Sequence, residues 1–171
     1  MSEQLSFFGP CQEPHLADLK HQVEADLEAG AACPCCGQLC KLYTRKLNSQ
    51  MAVFLIRLVK LAESRPTQPY FGSREITGTA DTTAHKASSD GTYLRLWGLI
   101  EQAPADDDGN RARLWRPTPF GFAFARGDLS VPRYAFVFDN EARRFSMDDH
   151  SDIRQALSAP FDYDELWGET G

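Results

Sequence analysis

Histidine is scarce in this chain: His15, His21, His85 and His150 are the four among 171 residues, and they are scattered. None belongs to an H-E-x-x-H helix or to an H-x-E paired with a downstream C-x-x-C, so two familiar zinc-enzyme arrangements are excluded. The G-x-S-x-G elbow and the phosphate-binding glycine loop are missing too. No nucleophile and base stand at a spacing that supports catalysis, and we expect no enzymatic activity. Apolar runs fall short of the ~20 residues needed to cross a bilayer. The opening "MSEQLSFFGP" has neither the basic start nor the apolar core of a signal peptide. Internal repeats and long low-complexity stretches are lacking as well. These absences lead us to expect a soluble, cytoplasmic globular protein with no membrane partner. At this length the chain supports one good core and is short for two.

Charge is present but unevenly spread. The net charge is −6, with −5 in residues 1–40, +4 in 41–64, +1 in 65–100, zero in 101–147 and −6 in 148–171. A basic centre between acidic ends permits a nucleic-acid contact by the centre without requiring one. The competing reading is a set of solvated faces. The acidic total argues against strong nonspecific nucleic-acid binding.

Cysteine is concentrated. "CPCCGQLC", Cys33 to Cys40, holds four of the five cysteines. In a reducing compartment, clustered thiols favour metal over disulfide. Cys33-Pro-Cys-Cys36-Gly fits a C-P-x-C-G knuckle, whose backbone amides point at the sulfurs of a zinc ion. Gly37 suits the positive φ that follows the second ligand. Tetrahedral zinc takes four ligands; Cys40 is the nearest third candidate, and Cys11 and His15 are further ones. We expect structural zinc, with Cys33, Cys36 and Cys40 as the named ligands. The alternative is a turn of buried thiols acting as small hydrophobes. "DDHSD", Asp148 to Asp152, reads as a surface turn capping the next helix and not as a second metal cluster.

Periodicity organises the rest. Leu16, Leu19, Val23 and Leu27 share one helical face, with Pro14 in the first turn and Gly30 past the end. So narrow a stripe packs on a core or on a second copy, which leaves a homodimer open. Ser49 to Glu63, capped by Asn48 or Ser49, reads as a central helix apolar on most of its circumference. Gln50, Arg57, Lys60 and Ser64 mark its thin polar line. "RPTQPYFGSREI" breaks that helix and offers a short extended piece. A helix from about Asp90 to Trp97, capped by Ser88 or Ser89, ends at Gly98. A strand follows over Leu99–Glu101, then a polar loop, a return strand near Leu114 and a helix capped by Thr118 with Pro119 first. Trp97 and Phe120 are expected in the core. Tyr134–Phe138 and a return through Phe145 predict a hairpin turning at Asp139-Asn140. "SDIRQALSA" predicts a short helix capped by Ser151. "FDYDELW" either folds back on the core or forms a short linear interaction element.

Helix, strand, polar loop, strand, helix is the order of a winged helix. "LRLWGLIE…DDDGNRAR-LWRPTPFGFAF", about Tyr93 to Phe124, resembles the wing region of the multiple-antibiotic-resistance-type winged-helix repressors. Shared features are the Gly-Leu-Ile exit, the acidic-then-arginine wing tip and the Thr-x-x-Gly helix start. The chain departs from them in lacking an obvious long C-terminal dimerisation helix and in carrying the cysteine segment. "CPxCG…KLYTRKLNSQMA…LRLWGLIE…RGDLSVPRYAFVF…FDYDEL" resembles a group of small uncharacterised proteins of bacterial viruses and prophages. In that group the Cys33 and Cys36 pattern recurs and the extra cysteines do not. The resemblance implies a bacterial host cell as the setting and supplies no activity.

The expected fold is therefore α+β: an N-terminal helix and knuckle over 1–47, a winged-helix core over 48–129, and a C-terminal hairpin with an acidic helical tail over 130–171. A winged helix inserts its second helix in the major groove and lays the wing along the backbone or minor groove. That places Lys86, Ser89, Thr92 and Arg95 at the helix, and Arg111 and Arg113 on the wing. Asp106 to Asp108 would repel phosphate unless they turn back onto those arginines. Lys41, Arg45, Lys46, Arg57 and Lys60 form a third basic group. Two functions follow. One is a phage- or prophage-type regulator that binds double-stranded DNA. The other is a non-enzymatic module that docks on a host complex, a polymerase or a defence system, through residues 148–167.

Overall fold

A computed structural model describes residues 15–78, 90–107, 109, 113–159 and 161–168. The chain is α+β and divides into two compact units, Met1–Tyr43 and Thr44–Gly171. Among the described residues no helix is long and apolar enough to cross a membrane.

In the first unit α1 spans Leu16–Ala25. Val23 and Leu27 are buried, as the stripe predicts. Gly30 closes the following turn at φ +87°. β1 (Ala31–Ala32) and β2 (Leu39–Cys40) then pair antiparallel, Ala31 opposite Cys40.

The second unit is built on α2, Ser49–Ser64. Asn48 caps it, its side chain accepting the Met51 N–H at 3.0 Å. Met51 to Ile56, Leu58 and Val59 are all buried. The polar line is used, not left in water: Arg57 donates to the Thr77 carbonyl at 3.2 Å and Lys60 to the Leu166 carbonyl at 2.9 Å.

Downstream of α2 come β4 (Phe71–Gly72) and α3 (Ser73–Thr77), the latter a helix that periodicity misses. Five residues are too few to show a period. Glu75 instead fixes the start, accepting the Gly72 N–H at 3.1 Å.

The helix expected over Asp90–Trp97 is helical at Asp90 and Gly91 and then tightens into a 3-10 helix, Thr92–Trp97. Gly91, Leu94 and Trp97 are the buried residues. A spacing of three lines up on one edge when there are 3.0 residues per turn, and drifts in an α-helix. Gly91 lies so close to Phe54 that a Cβ there would come within 2.3 Å of the ring. Gly98 ends the helix at φ +68°. Its N–H reaches the Arg95 carbonyl at 3.0 Å and the Leu99 N–H reaches Leu94 at 3.2 Å, the paired closure expected of a glycine stop.

β5 (Ile100–Gln102) and β6 (Leu114–Pro117) pair antiparallel, and β4 adds to the other edge of β6, giving the order β4-β6-β5. α4 (Pro119–Arg126) follows, and Thr118 caps it by accepting the Gly121 N–H at 3.0 Å. Gly121, Phe124 and Ala125 face inward. Phe120 does not: it is 51% exposed, which corrects the core assignment. One position off that stripe rotates a side chain by about 100°, onto the flank.

β7 (Val131–Pro132) pairs with β10 (His150–Ser151). The expected hairpin is β8 (Tyr134–Phe138) with β9 (Glu141–Phe145). Asp139 and Asn140 both adopt positive φ, +50° and +63°, which a tight two-residue hairpin turn requires. A strand at Tyr43–Lys46, β3, completes the sheet in the order β3-β8-β9. α5 (Ile153–Leu157) is capped by Asp152, which accepts the Gln155 N–H at 2.8 Å. Ser151 is drawn one residue back into β10, so the expected Ser151 cap is corrected by one position. α6 (Tyr163–Gly168) returns to the core: Leu166 is buried, and the Tyr163 hydroxyl donates to the Ala125 carbonyl at 3.0 Å. Of the two behaviours expected for "FDYDELW", folding back is the one observed.

Candidate functional site

The 3-10 helix Thr92–Trp97 leads through Gly98 into the antiparallel pair β5–β6. Within Thr92–Trp97, Arg95 is the one exposed side chain. Leu94 and Trp97 point inward, and Thr92, Tyr93 and Leu96 are half-buried. Arg95 reaches the hairpin turn, donating to the Asn140 carbonyl at 3.2 Å. Trp97 fixes the other side of the helix. Its Nε1 donates to the Pro132 carbonyl at 2.7 Å, and its ring lies 6.1 Å from that of Phe145.

Arg113 is exposed at the start of β6. Lys86, Ser89 and Arg111, and with them Asp108, lie outside the described residues. Asp106 and Gly109 form a turn, the Gly109 N–H donating to the Asp106 carbonyl at 2.9 Å. On β5 and β6 Glu101 and Arg116 are cross-strand partners and form an ion pair. The Glu101 carboxylate raises the Arg116 pKa, and the same guanidinium stands over Tyr70 at 5.0 Å. Arg116 is thereby committed to the sheet.

The third basic group disperses. Arg57 and Lys60 hold backbone carbonyls, and Lys41 lies over Tyr43 at 5.4 Å. Lys46 is exposed on the Tyr43–Lys46 strand, and Arg45 of the same strand joins the 3-10 helix. Its guanidinium sits 4.3 Å from the Tyr93 ring centre and donates to the Tyr93 hydroxyl at 3.1 Å. Sequence reading missed this link because the partners are 48 residues apart and "YTRK" is too short to announce a strand. Arg144 over Phe136 (3.7 Å) and Arg143 over Phe138 (5.6 Å) were also missed. Alternation along β8 buries Ala135 and Val137, which puts those two aromatics on the opposite face.

The cysteines sit on the β1–β2 hairpin. The Cys33 N–H donates to the Gln38 carbonyl at 2.8 Å and the Gly37 N–H to the Cys33 carbonyl at 2.7 Å, with Gly37 at φ +72°. Backbone N–H groups of Cys36 and then Cys35 point at the Cys33 sulfur and pull its thiol below the usual value. Cys40 is pushed the other way, first by burial and then by Cys33 and Cys36 beside it. Cys33 and Cys36 are thus near enough to Cys40 to act on its thiol. His15 stands exposed at the start of α1 with no side-chain capping bond, and Cys11 lies outside the described residues. Among the described residues no group of three or more His, Cys, Asp or Glu could hold a metal ion.

No protein-family model matches the chain, and no curated protein or solved structure is significantly similar to it.

Proposed function

We propose that the chain is a winged-helix DNA-binding regulator of the kind that bacterial viruses and prophages encode. The observation that carries this reading is the sheet β4-β6-β5, with its short helical segment entering through Gly98 and its two-stranded wing leaving toward α4. In that arrangement Arg95 faces the base edges and Arg113 the phosphates of the wing contact. The helix is short and shows one exposed side chain, so most of the affinity comes from phosphate contacts. Arg45, fixed on Tyr93, is placed to add one of these.

The experiment is selection from a random duplex pool with the full chain, followed by anisotropy. A sequence bound at least ~10³-fold more tightly than a scrambled duplex is expected. An unenriched pool, with no binding at low salt, overturns the proposal.

A second reading has its own support. Asp162, Asp164 and Glu165 are exposed on a segment anchored by Leu166, an acidic face suited to a basic protein surface, with Asp164 3.4 Å from Arg154. Capture of a host complex that survives nuclease treatment and is lost on charge reversal at these three residues would favour it.

A further inference from the structure

The sheet β3-β8-β9 turns one face to the core and one away from it. Ala135 and Val137, with their cross-strand partners Phe145 and Ala142, make the inner face. Alternation sends Tyr134, Phe136 and Phe138 to the outer face, in steps of about 7 Å along the strand. They are half-buried, and Phe136 and Phe138 are not part of the packed core. A register shift brings two arginines to them. Phe136 faces Arg144 and Val137 faces Ala142, so Arg143 is the extra residue between. Consecutive residues of a regular strand point to opposite faces, whereas this bulge turns Arg143 to the same side as Arg144. Their guanidinium groups stand over Phe138 at 5.6 Å and over Phe136 at 3.7 Å. On the other edge of β8, Arg45 turns to Tyr93 and Leu47 is buried. Alternation therefore leaves the exposed Lys46 on the outer face. The Leu47 N–H donates to the Arg133 carbonyl at 2.9 Å, which sets Lys46 at the Tyr134 end of β8. A central aromatic row thus runs between two basic edges, all within Thr44–Gly171.

We propose that this outer face binds single-stranded nucleic acid, with bases stacked on the Phe136–Arg144 and Phe138–Arg143 pairs and phosphates drawn to Lys46 and Arg144. A single strand offers unstacked base faces, and aromatic rings and guanidinium planes are the surfaces that take them. A duplex keeps those faces inside its stack. An acidic peptide would use the charges and leave the planes idle. Glu141, opposite Phe138 and 3.8 Å from Arg143, offsets charge at the turn end, so the phosphate contacts concentrate toward Arg144 and Lys46. The surface includes neither Arg95 nor Arg113 and does not depend on the duplex reading.

The test is anisotropy at low salt with the full chain and two labelled strands of equal length, an oligothymidylate and an abasic phosphodiester. The oligothymidylate should bind about 10-fold more tightly or better. Phe136→Leu and Phe138→Leu keep apolar bulk and remove the ring. Each should weaken oligothymidylate binding about 10-fold and leave abasic binding in place. Lys46→Ala should weaken both strands alike and flatten the salt slope by about 0.7. Fluorescence melts of Trp97, Trp115 and Trp167 establish that each variant is folded. Equal affinity for the two strands reduces the face to a charge patch and overturns the assignment. Parent-like affinity in a folded Phe136→Leu/Phe138→Leu double variant overturns it too, as does an oligothymidylate that fails to bind. Tighter binding of a polyglutamate chain than of oligothymidylate would give the face to an acidic peptide instead.

Discussion

Gly121→Ala is expected to cost about 3 kcal/mol or more of folding stability, a heavy penalty for one methyl group. A Cβ at Gly121 would lie 1.9 Å from the Leu99 carbonyl oxygen and 3.0 Å from its carbon. Both are backbone atoms, so no rotamer change makes room. Nor can α4 back away freely. The Thr118 N–H donates to that same Leu99 oxygen at 3.1 Å, and the Thr118 hydroxyl bonds the Gly98 carbonyl at 2.6 Å while capping the helix. Relief of the clash therefore breaks the cap, the strand exit, or both. Gly98→Ala is the control. It has open space around the Cβ and only its φ of +68° to strain it, and should cost about 1 kcal/mol. Urea unfolding followed by tryptophan fluorescence measures both. A Gly121→Ala loss no larger than that of Gly98→Ala contradicts the close approach.

Trp97→Ala should cost about 3–5 kcal/mol. Trp97 is 6% exposed, donates from Nε1 to Pro132, and meets Phe145 across the gap between the 3-10 helix and the hairpin. Truncation leaves a cavity and an unpartnered carbonyl, and it frees the hairpin from the helix. Faster amide exchange in β8 and β9 should accompany the loss. Phe120→Ala, at an exposed site, should stay within about 0.5 kcal/mol of the parent. Equal effects at the two aromatics would mean that the faces are misassigned.

Much of this fold is written in local signals. Asn48 before an apolar run, Gly98 after a helical one, Thr118-Pro119 and Asp139-Asn140 each act within a few residues, and each stands where its chemistry requires. What escaped depends on distant partners. β3 exists because β8 lies beside it, some ninety positions later in the sequence. The 3-10 geometry depends on Gly91 meeting Phe54, and the exposure of Phe120 on which neighbour α4 turns toward Leu99. The candidate site divides the same way. The exposure of Arg95 and Arg113 was legible from their distance to helix and strand signals. The Arg45–Tyr93 and Arg95–Asn140 links, which tie three separated segments together, were not.

The central claim is that Arg95 and Arg113 touch DNA, and binding across a salt series tests it most directly. Anisotropy on a selected duplex and a scrambled one, from low to moderate salt, gives the slope of log affinity against log salt for the parent, Arg95→Ala and Arg113→Ala. A phosphate contact contributes about −0.9 to that slope on duplex DNA. Arg113→Ala should flatten it by about that amount and weaken both duplexes alike, whereas Arg95→Ala should narrow the gap between them. Folded variants with the parent's slope and the parent's preference would contradict the account.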